Sequence, residues 1–334
     1  MQLNQAKLIQ NTAFCPAYLY ASLKTIDANT MSNNTHRKAP SALMIIIAFA
    51  ILYIVWGSTY FFIMKAMQGF PPFLLGGFRF MVAGVIMLAW CLWRKEKLWE
   101  VDVRIALITG VLLLFIGNGA VIWAQKTVPS SLAAILVSSA PLWFVLLDKP
   151  KWKTNLTNKK IILGLLIGLA GVVLLFSKQL GELLNGSATT EVAGLGILLI
   201  GSISWAGGSL FSKYKSKGSA VVNTTWQMLA GAVAFMIVSA SAGEWNRFQW
   251  EQVSTDAWLS VLYLIFFGSI AAYSAYVWLL EVRPAAQVST YAYVNPVVAV
   301  LLGVLFAGEV LHTLQIVGLA VILCSVVLIN RSKE

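Results

Sequence analysis

The sequence predicts an all-α membrane protein of ten transmembrane helices, built as two five-helix repeats of opposite orientation. Three observations predict it. The 334 residues are 59% hydrophobic and only 11% charged, whereas a soluble domain carries about a quarter charged residues. The apolar residues come in long blocks between short charged stretches, and a block of about 20 crosses the hydrocarbon core as a helix. The second half of the chain also repeats landmarks of the first in the same order. Helices suit a bilayer because they satisfy their backbone hydrogen bonds internally. A β-barrel would need short alternating segments instead.

Residues 1–40 are polar and mixed, with no run of span length. The mildly apolar stretch Ala13 to Leu23 lacks a basic start and a cleavage site, so it does not read as a signal peptide. The tail 1–42 is expected to be a disordered cytoplasmic leader. Met31, followed by Ser-Asn-Asn-Thr-His-Arg-Lys, is the expected native start. N-terminal mass analysis of the expressed protein checks this.

The spans are expected near 43–64, 73–92, 104–124, 130–147, 161–177, 193–212, 221–241, 257–279, 285–306 and 314–330. Lysine and arginine bias loops to the cytoplasm. With the N-terminus inside, 19 of the 24 basic residues fall in cytoplasmic segments. They cluster at Arg94–Arg104, Lys149–Lys160, Lys213–Lys217 and Arg283, with the rest in the two tails. Lys65, Lys126, Lys178 and Arg247 are left outside, and Arg79 alone lies within a span. Both termini are therefore expected in the cytoplasm. The net charge of +11 reads as a topology signal, not as a nucleic-acid footprint.

The landmarks of the two halves pair off. Pro129 and Pro141 are twelve residues apart, as are Pro284 and Pro296. Trp56-Gly57-Ser58 matches Trp205-Ala206-Gly207-Gly208-Ser209, Met81-Val82-Ala83-Gly84 matches Met228-Leu229-Ala230-Gly231, and Val172-Val173-Leu174 matches Val326-Val327-Leu328. Five is odd, so the second half must enter the membrane from the other side. Inverted repeats of this kind place a substrate site between the halves, near the midplane. The expected repeats span 43–178 and 193–331.

The segments Tyr53 to Phe61, Phe78-Arg79-Phe80, Gly117-Asn118-Gly119 and Ser289 to Val297 resemble the drug/metabolite transporter superfamily, EamA branch. Within it, the chain resembles the YedA-type inner-membrane exporters. The resemblance covers residues 45–330. It implies two EamA repeats around a cavity walled by helices 1, 3, 4, 6, 8 and 9, with helices 5 and 10 outside. It also implies export of small metabolites, amino acids or drug-like compounds. The first repeat departs from the pattern. Asp148-Lys149-Pro150 follows Pro141 by seven residues, where the second repeat carries Gly308-Glu309, so an altered fourth helix is expected.

Several residues are candidates for the site. Trp56, Tyr60, Trp205, Tyr291 and Tyr293 lie near glycines or prolines and either cup a substrate or pack against helices and lipid. Asn118, Gln125, Gln227 and Asn295 are uncharged polar groups in spans; each bonds a neighbouring helix, water or substrate. Arg79 either contacts an anion, or caps backbone carbonyls or snorkels to the outer interface, about two turns away near Pro72. Pro141 and Pro296 should kink their spans, as hinges or as fixed bends. Gly164 and Gly168 permit close helix packing, within the monomer or in a homodimer. Trp99, Trp152, Trp245 and Trp250 read as interfacial residues, and Glu281, Arg283 and Lys126 as solvated span ends.

Other classes lack their residues. Cys15, Cys91 and Cys324 make neither a metal spacing nor a disulfide framework. His36 and His312 fall in the tail and an outer loop, no span buries two carboxylates, and no Walker loop exists. No cofactor, metal or catalysis is expected. A channel would need a charged ring or carbonyl filter. A lipid flippase of the same fold is the alternative, told apart by a cavity open sideways to lipid. The expected partners are a small-molecule substrate and membrane lipid. The substrate is expected to meet Trp56, Tyr60, Asn118, Trp205, Tyr291 and Asn295, with the fourth and ninth helices re-aiming around their prolines.

Overall fold

A computed structural model describes residues 41–128, 133, 136–175, 177–186, 192–307 and 313–331. The expectations for the tail, Pro129, His312 and Gly308-Glu309 lie outside those residues. The described chain is helical throughout, with no strand. Its principal helices are α1 (Ala42–Ala66), α2 (Pro72–Trp93), α3 (Val103–Ala124), α4 (Ala140–Leu147), α5 (Lys159–Leu175), α6 (Val192–Lys215), α7 (Ala220–Ser241), α8 (Thr255–Val282), α9 (Tyr291–Ala307) and α10 (Thr313–Asn330).

Among the described residues, eight helices are long and apolar enough to cross a membrane. One of them is the stretch Ala285–Leu302, which contains the start of α9. A ninth candidate is the bent pair Lys149–Thr157 and α5, which meet at 86°. Asn158 makes that corner, and its side-chain oxygen accepts the Lys160 N–H at 3.0 Å. The described part of the fourth segment, α4, has eight residues. Ile46, Ile54, Leu163, Leu166, Ile237 and Phe267 are exposed, as a lipid-facing surface requires.

The helix starts follow local chemistry. Pro72 opens α2, where a missing N–H costs nothing. Asp102 caps α3 by accepting the Ile105 N–H at 3.3 Å, and Ser254 caps α8 through the Ala257 N–H at 3.2 Å. Glu244 is buried and accepts the Leu74 N–H at 2.8 Å and the Ser239 hydroxyl at 2.9 Å. A carboxylate there complements the first turn of α2. Two helices are wound wide: α3 over Val111–Asn118 and α8 over Leu264–Tyr273 are π-helical. Such stretches concentrate at functional sites.

Corresponding helices of the two halves pack on each other. Along α2 and α7, Gly76 faces Phe235, Gly84 faces Leu229 and Cys91 faces Thr225. Along α5 and α10, Gly164 faces Ile329, Gly168 faces Ser325 and Gly171 faces Ile322. In both pairs the numbering runs in opposite directions, so the partners are antiparallel. The Gly164 and Gly168 face is thus used within the chain.

Side-chain contacts tie the basic loops together at one end of the bundle. The Trp226 indole donates to the Leu98 carbonyl at 3.1 Å, and Tyr214 donates to Asp148 at 2.5 Å. The Lys213 ammonium donates to the carbonyls of Leu280 and Arg283. At the opposite end, Phe70 and Phe78 pack against Trp250 and Trp258.

The prolines behave differently from a matched pair of mid-helix kinks. Pro141 occupies the first turn of α4, just after a turn at Ser138-Ser139. Pro296 lies inside α9, and the turn in that span falls earlier, at Ser289-Thr290. Pro296 has no N–H to offer the carbonyl of Ala292, four residues back. The Ser138 hydroxyl donates to that carbonyl instead, at 2.9 Å. The bond joins the fourth segment to the ninth.

Candidate functional site

A cavity of about 80 Å³ opens between the halves. At ~10–15 Å³ per probe sphere, it holds on the order of half a dozen waters. The first half lines it with Trp56, Thr59, Tyr60 and Ile63 from α1, Arg79 from α2, Gly117, Asn118 and Val121 from α3, and Val137 and Ala140 from the fourth segment. The second half adds Gly201, Ser202 and Trp205 from α6, and Tyr291 and Asn295 from α9. The six residues expected to meet the substrate, Trp56, Tyr60, Asn118, Trp205, Tyr291 and Asn295, all line it, whereas the further candidates Tyr293, Gln125 and Gln227 do not. Pro141 and Pro296 do not line it; their neighbours Ala140 and Asn295 do.

The floor is a cluster of four aromatic rings. The Trp56 ring centroid lies 5.4 Å from Trp205, 5.0 Å from Tyr276 and 5.0 Å from Tyr291. These separations suit edge-on and tilted contacts between rings. The polar edges are satisfied. The Trp56 N–H donates to the Gly268 carbonyl at 3.1 Å, the Trp205 N–H donates to the Tyr276 hydroxyl at 3.0 Å, and Ser209 bonds that hydroxyl at 2.5 Å. Gly57 lets α1 approach α9 here, since a Cβ would lie 2.5 Å from the Val298 side chain and 3.1 Å from the Asn295 carbonyl. In α1, α6 and α9, the aromatic of the floor is the lining residue nearest the basic end. The cavity is therefore closed towards that end.

Above the floor, four polar atoms are buried without a hydrogen-bond partner among the described residues: Arg79 Nη1, Asn118 Oδ1, Ser202 Oγ and Asn295 Oδ1. All four belong to lining residues. An unsatisfied buried polar group costs ~1–3 kcal/mol, so four of them on lining residues make this wall a candidate place for water or solute.

Arg79 corrects an expectation. It does not snorkel: it is 3% exposed, and its Nε donates to the Ser269 hydroxyl of α8 at 2.7 Å. Its guanidinium carbon lies 4.7 Å from the Phe80 ring centroid. The outward route along α2 is filled by Phe70, Phe78, Trp250 and Trp258. Tyr293 also turns away from the cavity. It is fully buried, and its hydroxyl donates to the Leu165 carbonyl of α5 at 3.0 Å. Residues four apart share a helix face and those two apart do not, so Tyr291 and Asn295 face the cavity while Tyr293 faces α5. Gln227 is interior packing, bonded by Tyr273 at 2.8 Å and donating to Ser212 at 3.3 Å.

The wall order also shifts. Helix α2 contributes Arg79 directly, while α8 backs the cavity through Gly268, Ser269 and Tyr276. Tyr276 went unremarked in the sequence. The only available signal was its i, i+3 spacing from Tyr273, which buried packing produces equally well.

A bundle of long apolar helices around a small, partly polar cavity defines a multi-pass membrane protein built to enclose a solute. The EamA-like transporter family matches the chain twice, over residues 43–177 and 192–331, and the chain belongs to that family. It is 39% identical over 288 residues to the uncharacterized inner membrane transporter YedA of Escherichia coli K12, covering 86% of this chain and 90% of that protein. It is 26% identical over 280 residues to protein PecM of Dickeya dadantii, covering 83% and 89%. One solved crystal structure superposes with a TM-score of 0.68 at 18% identity, covering 86% of this chain and 96% of the other; that likeness concerns the fold. The chain is a transporter of small molecules embedded in the inner membrane.

Proposed function

We propose that the chain is a secondary transporter that exports small metabolites or drug-like compounds across the cytoplasmic membrane by alternating access. The observation that carries this is the cavity, walled by both halves, holding four unsatisfied polar atoms and closed at one end by aromatic rings. In this reading the fold has ten spans in two inverted repeats, 43–178 and 193–331. The antiparallel pairing of α2 with α7 and of α5 with α10 supports the inversion. Trp56, Tyr60, Asn118, Trp205, Tyr291 and Asn295 bind the solute, and the protein performs no catalysis. The fourth and ninth segments re-aim around Pro141 and Pro296, and the bond from Ser138 to the Ala292 carbonyl joins the two segments.

The basic end is cytoplasmic under the positive-inside bias, so both termini are inside and the aromatic floor lies on the cytoplasmic side of the cavity. Single cysteines at Lys95 and Lys151 should react only with permeant reagents in intact cells. A cysteine at Glu251 should react with impermeant ones. Labelling of Lys95 or Lys151 from outside would reverse the orientation.

Counterflow in proteoliposomes tests the transport reading. The purified protein is offered amino acids, sugars, organic carboxylates and cationic drugs, each radiolabelled against an internal pool. Exchange of at least one class above protein-free vesicles is expected. Correctly inserted protein that exchanges none of them contradicts it.

A further inference from the structure

The geometry points to an organic anion as the solute, a small monoanionic carboxylate held by Arg79; this rests on the proposed binding role of the cavity. Among the described residues, Arg79 is the one charged side chain that lines the cavity. The guanidinium is buried, and among the described residues no carboxylate pairs with it. A charge buried without an opposite charge is costly, and an ionisable group within a span marks a solute path or a paired partner. Ser269 fixes the guanidinium through Nε, which leaves Nη1 without a partner. A carboxylate accepts readily from such a planar fork.

The remaining walls select the rest of the molecule. One fixed positive charge and no lining acid favour a single net negative charge. Organic cations meet only repulsion from Arg79, although aromatic rings alone would attract them. The unused atoms of Asn118 and Asn295 are amide oxygens, which accept, so they contact a hydroxyl or N–H elsewhere on the solute, while the Ser202 hydroxyl can donate or accept. The rings of Trp56, Trp205 and Tyr291 offer an apolar floor for its body. The cavity volume limits that body to a small metabolite.

The test uses matched triplets in which one skeleton carries a carboxylate, a primary amide or an ammonium group. Acetate, lactate, benzoate and phenylacetate head the series. Binding to the purified full chain is read by thermal shift and by tryptophan fluorescence. At least one carboxylate should bind about 10-fold more tightly than its amide, with no binding of the matched ammonium. Arg79→Gln should erase that preference. Ser269→Ala, which keeps the charge but frees its direction, should retain a weakened preference and serves if Arg79→Gln does not fold. Three results would overturn the assignment: equal or better binding of amides or ammonium compounds, a preference that survives in Arg79→Gln, or no carboxylate bound in any triplet. Carboxylate binding without counterflow would defeat the transport reading alone. Counterflow of neutral or cationic compounds without carboxylate preference would defeat only the anion assignment.

Discussion

Replacing Trp56 with alanine should abolish solute exchange, lowering counterflow at least about 100-fold while the protein still inserts. Trp56 touches three of the elements that close the cavity: Trp205 of α6, Tyr276 of α8 and Tyr291 of α9. Removing a large buried ring typically costs ~3–5 kcal/mol, and here the loss falls on the contacts that seal one end. Trp56→Phe is the graded control. It keeps a ring but loses the N–H donated to Gly268, a bond worth ~1 kcal/mol, so exchange should fall about 10-fold or less. Tyr291→Ala should resemble Trp56→Ala, because it opens the same floor. Exchange near the wild-type rate in both alanine variants would remove these residues from the site.

Substituting Gly318 with valine should force the α5–α10 crossing apart. A Cβ at Gly318 would sit 2.7 Å from the Leu175 amide nitrogen and 2.9 Å from the Gly171 carbonyl oxygen. Those neighbours are backbone, and they cannot swing aside. Overpacking in a dense core costs ~1–3 kcal/mol even where side chains can adjust. Here α5 and α10 must separate, so a lower unfolding temperature in detergent and less monodisperse protein are expected. Gly196→Ala supplies the contrast, since nothing lies within 4 Å of the added methyl. That variant should match the wild type or gain ~0.5–1 kcal/mol from reduced backbone freedom. Equal melting of both variants would show that the α5–α10 crossing is looser than drawn.

The sequence was legible where membrane chemistry writes in long strokes. Blocks of apolar residues placed the eight span-length helices to within a few positions, because about 20 apolar residues cross a bilayer as a helix. Repeated prolines and Trp-Gly landmarks marked two related halves. The aromatic and asparagine candidates then met in one cavity, because Trp56, Asn118, Trp205, Tyr291 and Asn295 occupy helix faces that point inward together.

Direction and partnership were not legible. Tyr291 and Tyr293 read alike as letters, yet helical periodicity sends one to the cavity and the other to α5. Pro141 and Pro296 were equivalent in spacing, but their turns fall at different distances, at Ser138-Ser139 and Ser289-Thr290. Arg79 looked free to reach the interface until packed aromatic rings closed that way and Ser269 of α8 took its Nε. The linear order of residues thus determined which segments are long and apolar enough to cross a membrane and that the halves are related. Tertiary structure alone decided which side chains share the enclosed space. That choice depends on contacts between residues as far apart as Trp56 and Gly268, for which neighbouring positions in the chain carry no information.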